Sequence, residues 1–149
     1  MALTMTGQVD LTAARPQVWN ALNDPEVLRA CIPGCEALEK TDDTHFSART
    51  KVAIGPIKAT FSGSVELSDI DAPNGYKIVG EGRGGIAGSA KAGASVRLED
   101  GPNGGTCLFY EVDAQVGGRI AQLGARLING VAKSYADQFF NNFAQELSR

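Results

Sequence analysis

The chain has 149 residues, 43% of them hydrophobic and 21% charged, the balance of one globular domain large enough to bury a core without metals or disulfides. Fourteen basic against 17 acidic residues leave a net charge of -3 with no basic cluster, which argues against nucleic acid as the main partner. The opening Met1-Ala2-Leu3-Thr4-Met5-Thr6 has no basic start and no continuous apolar stretch, no window reaches the roughly 18 apolar residues of a membrane span, and the three cysteines are an odd number for a disulfide framework, so a cytoplasmic location is expected.

In chain order, Thr4 to Leu11 reads as a strand with Met5, Gly7, Val9 and Leu11 on one face. Thr12 is the expected N-cap of a helix from about Ala14 to Leu22, with Pro16 in its first turn and Val18, Trp19 and Leu22 on one side. Asn23-Asp24-Pro25 opens a second short helix to about Ala30, and Pro33-Gly34 is a turn. The period then changes to alternation. His45–Ile54 places Phe46, Ala48, Thr50, Val52 and Ile54 on one face, and Ile57–Leu67 does the same with Ile57, Ala59, Phe61, Gly63, Val65 and Leu67. Tyr76–Arg83, Ala90–Leu98 and Thr106–Val116 are three further strands, set off by the turns Ala72-Pro73-Asn74-Gly75 and Gly101-Pro102-Asn103-Gly104. That makes six strands, with room for a seventh. The last stretch, Ile120 to Leu147, reads as one helix. Tyr135, Phe139, Phe143 and Leu147 form one apolar stripe and Ile120, Leu123, Leu127, Val131 and Ser134 a second. Gly124 and Gly130 weaken this helix by about 1 kcal/mol each, which suggests close approach of a neighbour or a ligand.

The fold class is therefore α+β: a curved antiparallel sheet around a long C-terminal helix, with two short helices after the first strand, in a single domain over residues 1–149. One helix must cover the inner faces of all the strands. Glycines 63, 80 and 82 and alanines 48, 59, 90, 92, 94 and 114 alternate inward and are too small to fill the gap, so an apolar cavity is expected. Its expected walls are Leu22, Leu28, Ile32, Phe46, Ala48, Phe61, Gly63, Val65, Tyr76, Ile78, Gly80, Ala92, Tyr110, Val112, Leu123, Leu127, Val131 and Phe139.

The residues that carry chemistry lie elsewhere. His45 is the sole histidine and alternates outward, as do Glu66, Glu81, Glu111 and Asp113, so no catalytic residue is assigned. An enzyme of cyclase or hydrolase type would have to pair Tyr76 or Tyr110 with Asp137 or Gln138. Cys31 and Cys35 are four apart, with only Cys107 and His45 left to complete a ligand set, so no metal site is expected. Gly80-Glu81-Gly82-Arg83-Gly84-Gly85 matches a dinucleotide fingerprint in letters only, because no helix follows it, and no cofactor is expected. Arg83, Arg119 and Arg126 gather near the expected open end.

Several segments carry a family resemblance across essentially the whole chain. They are Val18-Trp19-Asn20-Ala21-Leu22-Asn23-Asp24-Pro25-Glu26-Val27-Leu28, Cys31-Ile32-Pro33-Gly34-Cys35-Glu36, Val52-Ala53-Ile54-Gly55-Pro56-Ile57-Lys58, Phe61-Ser62-Gly63, Gly82-Arg83-Gly84-Gly85 and Val116-Gly117-Gly118-Arg119-Ile120-Ala121-Gln122-Leu123-Gly124. The sequence resembles the carbon monoxide dehydrogenase G-subunit family of the START-like, Bet v 1-like superfamily. The resemblance implies a helix-grip fold with a deep hydrophobic cavity. It also implies a non-catalytic accessory role beside a molybdenum hydroxylase, a quinone- or lipid-like ligand, and peripheral contact with the inner face of a membrane. A docking adaptor acting through its surface alone is the other reading that this resemblance leaves open.

Overall fold

The computed structural model describes all residues from Met1 to Arg149. Seven strands form one antiparallel sheet: β1 (Ala2–Leu11), β2 (Cys35–Asp42), β3 (His45–Ile54), β4 (Ile57–Asp71), β5 (Gly75–Arg83), β6 (Ser89–Asp100) and β7 (Thr106–Gly117). The order across the sheet is β1-β7-β6-β5-β4-β3-β2, a meander from β2 to β7 with β1 added beyond β7. The helices α1 (Arg15–Leu22) and α2 (Pro25–Cys31) follow β1, and α3 (Ala125–Leu147) closes the chain.

The inward sets predicted from alternation fall on shared cross-strand rows. One row runs Leu67, Ile78, Ala94, Val112, Met5, and the next runs Tyr76, Val96, Tyr110, Gly7. Three details differ from the sequence reading. Cys35–Asp42 is a full edge strand, hidden from pattern analysis because bulges near Glu36 and Thr41 interrupt its register and its outer half is polar on both faces. The first helix has Ala14 at its N-cap with no side-chain cap, so Thr12 does not play that part. The last helix begins at Ala125. Arg119–Leu123 is a separate 3₁₀ turn, and Gly124 breaks the two apart at φ +93°, a backbone region costly for any residue with a β-carbon.

That break resets the helical phase. Ile128 turns inward and is buried, while Leu127 is left 38% exposed at the rim. Neither Gly124 nor Gly130 approaches anything within 4 Å of where a β-carbon would stand, so the expected close contact is absent. Gly130 lies inside α3 with ordinary helical geometry, and Gly130→Ala is expected to stabilise the protein by about 1 kcal/mol. Thermal melting then rises by about 3 °C in circular dichroism.

Two separate clusters hold the fold. The larger joins α1, α2 and the end of α3 to the sheet through Val18, Leu22, Cys31, Leu98, Leu108, Phe143 and Leu147. The smaller, at the opposite end, joins Val116, Ile120 and Ile128 with Ile54, Ile57 and Phe61 packed against them. Side-chain hydrogen bonds tether α3 at Gln17 Nε2 to Leu147 O (3.3 Å), Asn142 Nδ2 to Cys31 O (3.1 Å) and Ala53 N to Tyr135 Oη (3.3 Å). Among the strands, α3 approaches chiefly β1 and β3, the flanks of the curve, and stands off from the centre. Only 19 of 149 residues are buried, because the inner faces of the central strands look into space between the clusters.

Candidate functional site

That space is a cavity of about 360 Å³ walled by nineteen side chains, all hydrophobic. The sheet contributes Met5, Leu38, Phe46, Ala48, Val65, Leu67, Tyr76, Ile78, Ala94, Val96, Leu108, Tyr110 and Val112. The helices contribute Leu22, Leu28, Ala136, Phe139 and Phe140, and Ile32 follows α2. Ile78, Ala94 and Val112 lie on central strands yet remain half-buried, the sign of a wall facing a void. An aromatic series links this wall to the core: Tyr110 stacks on Phe140 (centroids 5.2 Å), Phe140 meets Phe139 edge-on (5.1 Å), and Phe139 stacks on Phe143 (5.7 Å).

Eleven of the eighteen predicted wall residues line the cavity: Leu22, Leu28, Ile32, Phe46, Ala48, Val65, Tyr76, Ile78, Tyr110, Val112 and Phe139. Seven do not. Phe61 packs with the smaller cluster, its ring lying over Gly84. Gly63, Gly80 and Ala92 are on the inner face, Gly63 opposite Ala48 and Gly80 between Val65 and Ala92, and do not line the void. Leu123 lies in the 3₁₀ turn before Gly124, Leu127 sits exposed on the first turn of α3, and Val131 lies about 80° around the α3 axis from Phe139, so none of the three joins the wall.

Of the eight wall residues not anticipated, Met5, Leu67, Ala94, Val96 and Leu108 sit on inward-alternating positions, so pattern alone could have found them. Leu38 lies on the irregular edge strand. Ala136 and Phe140 flank Phe139 on the helix face that the true phase turns inward.

No carboxylate, imidazole, amine or thiol reaches this wall. Asp137 pairs with Lys133 Nζ at 3.2 Å on the solvent side of α3, and Gln138 donates to Ser134 Oγ at 3.0 Å there, so neither forms the polar pair that Tyr76 or Tyr110 would need. Cys31 is fully buried among the helices, and burial, with Glu146 nearby, pushes its thiol up to about 11. Gly80–Gly85 ends β5 and leads through a 3₁₀ turn straight into β6, with no helix to receive a phosphate.

His45 stands outside, with Nδ1 2.8 Å from Asp42 Oδ1 and Nε2 3.8 Å from Glu66 Oε2. The hydrogen bond to Asp42 holds the imidazole above its ordinary 6.5. A raised folded value means that the pair's contribution is complete below 6.5 and disappears as pH climbs through the folded value. As the sole histidine, it is expected to give one proton-resonance titration with a midpoint above 6.5 that falls back in Asp42→Asn.

The profile of the carbon monoxide dehydrogenase G-subunit family, CoxG, matches residues 7–148. No curated protein matches the chain. The crystal structure of a conserved protein from Geobacillus kaustophilus is similar at 32% identity and a TM-score of 0.92, covering 98% of this chain and 95% of that one. A START superfamily protein from Mycobacterium smegmatis is similar in fold at 10% identity and a TM-score of 0.72, covering 97% of each chain. The Zhui aromatase/cyclase from a Streptomyces species shares the fold at 14% identity and a TM-score of 0.73, covering 100% of this chain and 95% of that one. No helix of the chain is long and apolar enough to cross a membrane. With the helix-grip architecture, the hydrophobic cavity and a profile spanning nearly every residue, the chain belongs to the carbon monoxide dehydrogenase CoxG family.

Proposed function

We propose that this protein is a non-catalytic accessory protein that holds a hydrophobic molecule, quinone-like or lipid-like, between sheet and C-terminal helix and assists a molybdenum hydroxylase of the carbon monoxide dehydrogenase type. The observation that carries the reading is the cavity wall: nineteen hydrophobic side chains and no group able to exchange a proton near neutral pH. A wall of this kind binds by burying apolar surface, at about 25 cal/mol per Å².

The volume narrows the ligand. A space of about 360 Å³ lies at the lower end of small-molecule ligand sites. Phe46, Tyr76, Tyr110, Phe139 and Phe140 supply faces and edges for a flat ring, which favours the quinone-like occupant over a diacyl lipid.

Peripheral membrane contact draws support from the opposite end of the molecule. Ile86 is 82% exposed at the tip of the β5–β6 turn, and Leu127 lies exposed on the first turn of α3. Arg119 and Arg126 flank this end with no carboxylate partner, an arrangement suited to an anionic, partly apolar surface.

Native mass spectrometry of gently purified protein tests the ligand reading, with a retained apolar adduct as the expected result. Protein that carries none, and takes up neither duroquinone nor a fatty ester on titration, overturns it. Co-purification with a co-produced molybdenum hydroxylase tests the partnership.

A further inference from the structure

The chain has three tyrosines, and their hydroxyls meet different fates. Tyr135 Oη accepts from the Ala53 N–H at 3.3 Å. The Tyr110 ring lies across Gly7, and its side chain also borders the open groove between β1 and α3, where water reaches it. Tyr76 is different. It is 7% exposed, its ring is fixed edge-on by Trp19 at 5.2 Å, and it stands in the cavity wall, with the open groove of Asp71 and Asn74 also bordering the residue. No group of the chain hydrogen-bonds its hydroxyl or places a charge beside it, and burial alone pushes its ionisation up to about 12. No side-chain oxygen or nitrogen sealed on all sides lacks a partner anywhere in the chain, so the unpartnered Tyr76 hydroxyl keeps an open side.

We infer that the Tyr76 hydroxyl is the orienting donor of the cavity, selecting an apolar molecule that carries a hydrogen-bond-accepting oxygen over its plain hydrocarbon counterpart. The inference rests on the ligand-binding reading above and names the class of ligand: a compact apolar body with a carbonyl. A buried phenol without a partner is unfavourable, and a hydrocarbon ligand completes its isolation, whereas a carbonyl satisfies it. A site built around such a donor therefore tells an oxygenated ligand from its hydrocarbon counterpart, which apolar packing alone does not do. The hydroxyl stays protonated throughout the neutral range, so the donor is always present.

Two sources supply this chemistry, a quinone and an acyl ester, and matched pairs separate them. Affinities of duroquinone and durene, and of methyl decanoate and undecane, are measured by displacement of N-phenylnaphthylamine from the wild type and from Tyr76→Phe. The phenylalanine keeps the ring against Trp19, and a melting curve at or above that of the wild type shows that the fold is retained. Expected is a preference of roughly tenfold for one oxygenated member in the wild type, lost in Tyr76→Phe while the hydrocarbon binds equally well or better. The pair that shows the preference identifies the source. No preference in the wild type, or one that survives in Tyr76→Phe, overturns the inference and leaves the cavity reading standing. Failure of both pairs to bind overturns the cavity reading, and this inference with it.

Discussion

Ala94→Phe is expected to abolish ligand binding while leaving the protein folded and at least as stable. Ala94 lies at the middle of β6, paired with Ile78 on β5 and Val112 on β7, and its methyl group points into the void. A phenyl ring there occupies space that the wild type leaves empty. Overpacking a filled core costs about 1–3 kcal/mol, but the void of about 360 Å³ is larger than the added ring. Burying that ring contributes about 1–2 kcal/mol in the other direction, so the melting temperature holds or rises. The ligand loses both the volume and the contact with the sheet, and the dissociation constant for duroquinone should rise by at least a hundredfold, equivalent to about 2.8 kcal/mol. Calorimetric titration alongside a thermal melt reads both quantities. An unchanged affinity in a folded variant would place the ligand outside this cavity.

The same void shows why the sequence is legible in some places and opaque in others. Alternation over His45–Ile54 and Ile57–Leu67 reports which side chains face inward, because a strand has only two faces and burial selects one. Phe46, Val65, Tyr76, Ile78, Tyr110 and Val112 are legible that way, and all six line the cavity. Alternation gives a face but not a depth along the strand. Gly63, Gly80 and Ala92 share the inner face and even the cross-strand rows of Ala48 and Val65, and still miss the void, because no local signal says how far along a row the void extends. The expectation that small residues mark the vacancy is right about the face and displaced along it. The rows that frame the cavity hold Leu67, Ile78, Val96 and Tyr110, with Ala94 among them.

Helical phase fails for a different reason. A period of 3.6 extrapolated from Ile120 assumes continuous geometry, and one glycine at positive φ, Gly124, is enough to rotate every later position. Within α3, Ile128 falls about 20° around the axis from Phe139 and is buried, while Leu127, one residue earlier, goes to the rim. The edge strand Cys35–Asp42 is faint because an edge carries half the pairing constraint and tolerates polar residues on both sides.

A comparison within α3 tests whether the void persists in solution. Phe143→Ala is expected to damage the fold more than any other truncation along this helix, because Phe143 is fully buried where α3 meets α1, α2 and the sheet. Removing a phenyl ring packed on every side costs about 3–5 kcal/mol, a large part of the roughly 5–15 kcal/mol that holds a typical domain together. For a chain of this length the melting temperature falls by about 10 °C. Phe139, one turn earlier and stacked on Phe143 at 5.7 Å, carries the same side chain on the same helix but looks into the cavity. A ring with empty space beside it forfeits dispersion contacts on that side, so its removal has less to lose. Phe139→Ala is therefore expected to cost about 1–2 kcal/mol, less than half as much. Urea unfolding of both variants, with equal slopes, gives the ratio directly. Equal losses would mean that the interior closes around Phe139 in the free protein, with no room standing ready for a ligand.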